Sequence, residues 1–157
     1  MLSLPQVPVS AGAILMDSEQ RILLLKPTYK SGWTIPGGVM EEDGETPWEA
    51  CLREVREETG IEVSEGRLVC VDSRPAKKGS KLGLRFLFYC GEVPPEQIAG
   101  ITLQAYEVSE HRWVTPEEAE ELLRPAIRRR VRKGLKVIRT NKGCVYLEDG
   151  RRVSGVS

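Results

Sequence analysis

GGVMEEDGETPWEACLREVREETGI, running from Gly37 to Ile61, contains the best-marked helix in the sequence. Thr46 offers an N-cap hydroxyl, Pro47 takes the first helical position, and Glu49 stands three residues after the cap. That is a capping box, with proline placed where its missing N–H leaves no bond unmade. Gly60 supplies the stop, because glycine readily takes the left-handed conformation that ends a last turn. The spacing predicts a helix over about Pro47 to Thr59. At about 100° per residue, its side chains separate into two faces. Trp48, Cys51, Leu52, Val55 and Thr59 share one; Glu54, Glu57 and Glu58 share another, with Arg53 beside them.

Three carboxylates at i, i+3 and i+4 repel each other by roughly 0.2–0.5 kcal/mol per pair on an exposed helix. A divalent cation would turn that repulsion into coordination. A donor set made only of carboxylate oxygens suits Mg²⁺ or Mn²⁺, which keep several waters and bridge to phosphates. Arg53 is placed to hold one glutamate by a charge-assisted hydrogen bond. Taken without its surroundings, the same pattern describes a solvated acidic helix face, which is the commoner case.

The surroundings carry a signature. Gly37 to Ile61 closely resembles the Nudix box of the Nudix hydrolases: Gly, five residues, Glu, seven residues, then Arg-Glu-Φ-x-Glu-Glu-x-Gly-Φ, with Φ aliphatic. Glu45, seven residues, and Arg53-Glu54-Val55-Arg56-Glu57-Glu58-Thr59-Gly60-Ile61 fit it position for position. Trp33-Thr34-Ile35-Pro36-Gly37-Gly38 is similar to the family's approach to the box. One departure stands out: six residues, Val39 to Gly44, separate Gly38 from Glu45 where the family has five. The extra residue falls before the helix and leaves the helical glutamates in register.

The resemblance implies an Mg²⁺-dependent enzyme, with Mn²⁺ as a substitute. Such enzymes hydrolyse a nucleoside diphosphate linked to another group by attack of water on phosphorus. It implies Glu54, Glu57 and Glu58 as metal ligands, Arg53 as the residue orienting them, and Gly37 and Gly38 as a tight backbone approach. A further carboxylate in the family serves as extra ligand or general base, and comes from the loop before a strand ending in tryptophan. Glu107, six residues before Trp113, is the first candidate and Glu110 the second. Arg85, with Lys77, Lys78 and Lys81, could meet substrate phosphates; Trp33 and Tyr29 could stack on a base. Pro75 lies 15 residues after Gly60, near a proline position associated in the family with ADP-ribose hydrolases. The alternative is a catalytically weak module that senses a nucleotide and uses a basic tail on nucleic acid or a partner. The intact Arg53, Glu54, Glu57 and Glu58 argue for catalysis.

Working outward, Val7 to Met16 and Arg21 to Lys26 read as strands around the turn Asp17-Ser18-Glu19-Gln20. Residues 27–45 hold two prolines and four glycines and read as a long loop, a length that is usually functional. Leu68 to Val71 and Leu84 to Cys90 are further strands, residues 91–106 read as mostly loop, and Arg112 to Val114 as a short strand. Thr115-Pro116-Glu117-Glu118 opens a second capped helix, which Pro125 should break or kink. Ile127, Val131, Leu135 and Ile138 recur at helical spacing, and Val145 to Leu147 and Arg152-Val153 flank Asp149-Gly150 as a terminal hairpin. The expected fold class is α/β, a Nudix-type α/β/α sandwich with a mixed sheet, carrying a basic C-terminal helix and a short hairpin.

At 157 residues, with 40% hydrophobic and 29% charged side chains, the chain has the size and composition of one globular domain over residues 1–157. Its zero net charge hides a segregation. Residues 1–123 carry 12 basic and 21 acidic side chains, net −9, whereas residues 124–157 carry 11 and 2, net +9. The basic extension is therefore expected to pack onto the acidic body, with a homodimer or nucleic-acid contact as its other use. Cys51, Cys70, Cys90 and Cys144 form no CxxC pair, and with a lone His111 they make no zinc set. They read as small hydrophobes in a reducing cytoplasm. No membrane span, P-loop or EF-hand loop is legible.

Overall fold

The computed structural model describes residues 2–41 and 44–156. In chain order the elements are β1 (Val9–Met16), β2 (Ile22–Pro27), β3 (Gly37–Val39), α1 (Pro47–Thr59), β4 (Arg67–Arg74), β5 (Gly83–Glu92), α2 (Pro95–Ala99), β6 (Val108–Val114), α3 (Pro116–Leu122), α4 (Pro125–Thr140), β7 (Val145–Glu148) and β8 (Arg151–Arg152). The strands form one mixed sheet in the order β6-β2-β1-β5-β4-β7-β8, with β3 added against β1. β1 runs parallel to β5, and β7 parallel to β4; the remaining pairs are antiparallel.

Each face of the sheet has its own core. On one side Ala50, Cys51 and Val55 of α1 pack on Ala11, Ala13, Leu15, Leu23 and Leu25. On the other, Ala119 of α3 and Val131 and Val137 of α4 pack on Ile14, Ile22, Leu24, Val69 and Leu87. That alternation along β1 and β2 is the period-two signature of a sheet buried on both faces, and it makes the α/β/α sandwich.

α1 carries the reciprocal capping box: Thr46 Oγ1 accepts from Glu49 N at 3.1 Å, and Glu49 Oε1 accepts from Thr46 N at 3.1 Å. Thr115 and Glu118 repeat it on α3. Pro125 ends one helix and sits at the first position of the next, so α3 and α4 are separate. Asp149 and Gly150 both have positive φ, 51° and 74°, the turn conformation that joins a two-residue hairpin.

Three segments differ from the sequence reading. Residues 27–45 contain β3, whose two glycines offer no alternating apolar pattern. It exists because Ser10, Ala11 and Gly12 present a free ladder edge. The segment 91–106 contains α2, five residues long and without a side-chain cap. β6 runs seven residues because its outward Ser109, Glu110 and Arg112 belong to a sheet edge, where polar side chains face water. The four cysteines are free thiols. Among the described residues, no helix is long and apolar enough to cross a membrane.

Candidate active site

β1 and β2 pair only at Met16↔Ile22 and then diverge. From there β3 takes the place beside β1, pairing Gly12↔Gly37, Ala11↔Gly38 and Ser10↔Val39. The split opens a cavity of about 400 Å³ walled by β1, β3, the end of α1, β5 and the start of α4. Glu58 and Glu107 line one part of it, and Gly37 and Gly38 its edge.

Arg53 gathers the acidic row. Its Nε donates to Glu45 Oε2 at 2.7 Å and its Nη2 to Glu45 Oε1 at 3.0 Å, a bidentate pair. Nη1 donates to Glu54 Oε1 at 2.9 Å and Glu57 Oε2 at 3.2 Å. Nη2 also donates to the Val39 carbonyl at 3.2 Å, which ties the helix to β3. The bond to Glu45 comes first among the causes that raise the Arg53 pKa, and Arg53 in turn holds Glu45 below the usual carboxylate range. Glu45 thus keeps a defined partner in spite of the extra residue before it; Glu42 and Asp43, inside that six-residue segment, lie outside the described residues.

The glycines are required by contact. A Cβ on Gly38 would stand 2.5 Å from the Glu54 carboxyl carbon, and one on Gly37, at φ 152°, would stand 2.4 Å from the Ala11 carbonyl oxygen. Gly38→Ala can be relieved by moving the Glu54 side chain, so the fold should survive and the glutamate should be displaced. An ångström of displacement at a reacting centre costs about a hundredfold in rate. We expect turnover to fall by about that factor with an unchanged circular dichroism spectrum; wild-type turnover would show that Glu54 need not sit against Gly38.

Glu58 is 8% exposed and accepts the Gly37 N–H at 2.8 Å. Burial pushes its pKa up to about 8, the Gly37 hydrogen bond opposes that, and the charges of Glu54, Glu107 and Glu57 add to it. Burial also raises Glu54, against the pull of Arg53. Below the ordinary value of 4.5 the carboxyl is protonated folded or unfolded; as pH rises from there through about 8, the unfolded chain ionises freely and the folded one resists. Stability measured with a chelator present should therefore decline across that window, and Glu58→Gln should flatten the decline. Parallel profiles for the two proteins would refute a buried proton at Glu58.

The donor set around Glu54, Glu57, Glu58 and Glu107 is oxygen only, crowded and partly desolvated, which suits a hard divalent cation. Among the described residues, no three acidic, His or Cys side chains already converge on one point. Glu54 and Glu57 instead share Arg53 Nη1.

Glu107 lies across from α1, held by Thr28 N donating to its carbonyl at 2.9 Å, and its charge acts on both Glu58 and Glu54. Glu110 stands apart from the cavity, 3.6 Å from Lys26 Nζ. Arg85 lines the cavity and donates from Nη1 to Ser10 Oγ at 2.8 Å. Trp33 corrects the sequence reading: it is 7% exposed within the α3–α4 core, with the Arg112 guanidinium 4.6 Å over its ring, so no face is free for a base. Tyr29 does border the cavity and is 70% exposed. Lys77, Lys78 and Lys81 are exposed on the β4–β5 turn and do not line the cavity.

Sequence reasoning missed Lys30, Arg74, Arg124 and Arg130, which also line it. The only signal was the basic character of residues 124–142, which marks a charged tail without telling which of its arginines turns inward.

Residues 7–135 match the sequence model of a family described as NUDIX domain. The MutT-like protein of Streptomyces ambofaciens is 31% identical over 117 residues, which cover 74% of this chain and 70% of that protein. The RNA pyrophosphohydrolase of Hydrogenovibrio crunogenus is 35% identical over 60 residues, 38% of this chain and 36% of that one. Among solved structures, the MutT protein from Methanosarcina mazei Go1 superposes with a TM-score of 0.69 at 28% identity, covering 89% of this chain and 99% of that one.

Proposed function

This chain belongs to the Nudix family of pyrophosphohydrolases, and from that premise we propose that it cleaves the pyrophosphate bond of a nucleoside diphosphate linked to another group, with Mg²⁺ or, in its place, Mn²⁺. One observation carries the reading: one cavity has Glu58, the end of the acidic row of α1, and Glu107 in its lining together with Arg74, Arg85, Arg124 and Arg130. Acids alone would repel a phosphate, and arginines alone would bind it without activating water.

A divalent cation held by Glu54, Glu57, Glu58 and Glu107 would supply charge neutralisation and a more acidic attacking water. Arg53 holds one Glu54 oxygen and one Glu57 oxygen together through its Nη1. Glu58, anchored by Gly37 N–H, fixes the end of the row to the glycine edge. Glu107, which lines the same cavity as Glu58, would serve as the general base for the attacking water. Arg85 steadies the substrate's phosphate charge. A reducing cytoplasm fits the four free thiols.

The test is a panel of ADP-ribose, a nucleotide sugar, a dinucleoside tetraphosphate and nucleoside triphosphates, each with Mg²⁺ and with Mn²⁺, reading mononucleotide or phosphate released. Hydrolysis of at least one is expected. Silence across the panel with both ions would overturn the hydrolase reading and favour a nucleotide-sensing module.

A further inference from the structure

The cationic side of the cavity is built rather than incidental. Arg85 comes from β5, Arg124 from the residue before α4, and Arg130 from within α4, with Lys30 and Arg74 at the rim. Arg130 is only 8% exposed and pairs with the Asp72 carboxylate at 2.9 Å. Among the described residues no carboxylate lies within ion-pair distance of Arg85, Arg124, Lys30 or Arg74. The Arg124 Nε is buried and makes no hydrogen bond. Ala126 and Ile127 line the same cavity in the first turn of α4, whose cap residue offers no side-chain acceptor. Their N–H groups precede the first intrahelical bond, Arg128 N to Arg124 O, so they too lack helical partners.

Gathering cations in a half-dry cleft is unfavourable. Desolvation, then the neighbouring Arg130 and Arg74, pull the Arg85 pKa down, and desolvation with Arg124 and Arg85 does the same to Lys30. An anion seated among them would relieve both the repulsion and the unmet donors. A nucleobase finds less to hold it, because Trp33 is enclosed in the core and Tyr29 is mostly in water.

We propose that Arg85, Arg124 and Arg130 form an anion subsite beside the acidic row, and that the substrate's linked group therefore carries a further phosphate, seated there while the diphosphate to be cleaved lies toward Glu58 and Gly38. The substrate class rests on the hydrolase reading; the anion subsite does not.

Inorganic tripolyphosphate, titrated calorimetrically into the full chain with a chelator present, is the probe. Wild type should bind it, and R85Q and R124Q should each weaken binding about tenfold while keeping the wild-type circular dichroism spectrum. K77Q, on the exposed β4–β5 turn outside the cavity, should bind as wild type does. No binding by wild type, or equal binding by both arginine variants, would overturn the subsite. In the activity arm, adenosine 5′-tetraphosphate should show a lower KM than ADP-ribose, and R124Q should raise the KM of the former more than that of the latter. Equal KM shifts on both would overturn the assignment of the linked group. Brisk ADP-ribose hydrolysis without tripolyphosphate binding would defeat the subsite and leave the hydrolase reading standing. Arginine-dependent binding without any hydrolysis would do the reverse.

Discussion

Glu57→Gln should lower turnover by about a thousandfold and leave the melting temperature where it was. A coordinated divalent ion lowers a phosphoryl-transfer barrier by several kcal/mol. At 1.36 kcal/mol per tenfold, a loss of about 4 kcal/mol is about three orders of magnitude. The fold has little to lose. Glu57 has a side chain 44% exposed, and among the described residues its one ion pair is with Arg53 at 3.2 Å, an exposed contact worth at most about 1 kcal/mol. Removing its charge also relieves repulsion with Glu54 and Glu58, which offsets part of that loss. Steady-state rates beside a thermal melt check both halves. Near wild-type turnover would strike Glu57 from the ligand set, and a collapsed melt would make its role structural. Glu54→Gln and Glu58→Gln should also be impaired, with partial recovery at raised Mg²⁺ where weakened metal affinity is the main defect.

α1 was legible to its ends because every local signal agreed: hydroxyl cap, proline at the first position, glutamate three later, glycine after the last turn. The same agreement gave α3 and the Asp149-Gly150 hairpin. β3 was not legible, since a glycine pair has no side chains to alternate, and its strand character comes from the Ala11 and Gly12 edge it meets in space. Trp33 misled for a related reason. An aromatic beside a glycine loop has the same sequence whether its ring faces a ligand or the core, and only the packing of Trp33 with Ala119 and Leu123, at 7% exposure, decides it. On the acidic side of the site, one helix carries Arg53, Glu54, Glu57 and Glu58 at a readable spacing. On the basic side, Arg85 and Arg130 are 45 positions apart in the chain, and only the packing of α4 across β5 and β4 brings them to one wall.

That packing rests on a single buried carboxylate, and Asp72→Ala should cost about 3–5 kcal/mol of stability. Asp72 is 1% exposed on β4. Its Oδ2 accepts from Arg130 Nε at 2.9 Å, and its Oδ1 accepts from Gly150 N at 2.9 Å, so one side chain pins α4 and the terminal hairpin to the sheet. Asp149 N donating to the Ser73 carbonyl at 2.9 Å, and Arg129 Nε to the Asp149 carbonyl at 2.9 Å, complete the clamp but cannot neutralise Arg130. Truncating the aspartate would leave a buried guanidinium uncompensated, the situation in which breaking an ion pair costs about 3–5 kcal/mol. A domain's whole stability is only about 5–15 kcal/mol. Replacing both partners by apolar residues, Asp72→Leu with Arg130→Met, should restore most of the stability, because no charge is then stranded. The double variant should still bind tripolyphosphate weakly, since the cavity has lost one of its three inner cations. Urea midpoints and m-values for the three proteins, beside the calorimetric titration, separate the two effects. A loss below about 1 kcal/mol in Asp72→Ala would mean that Arg130 escapes to solvent and that neither the clamp nor the inner cation is held by this carboxylate.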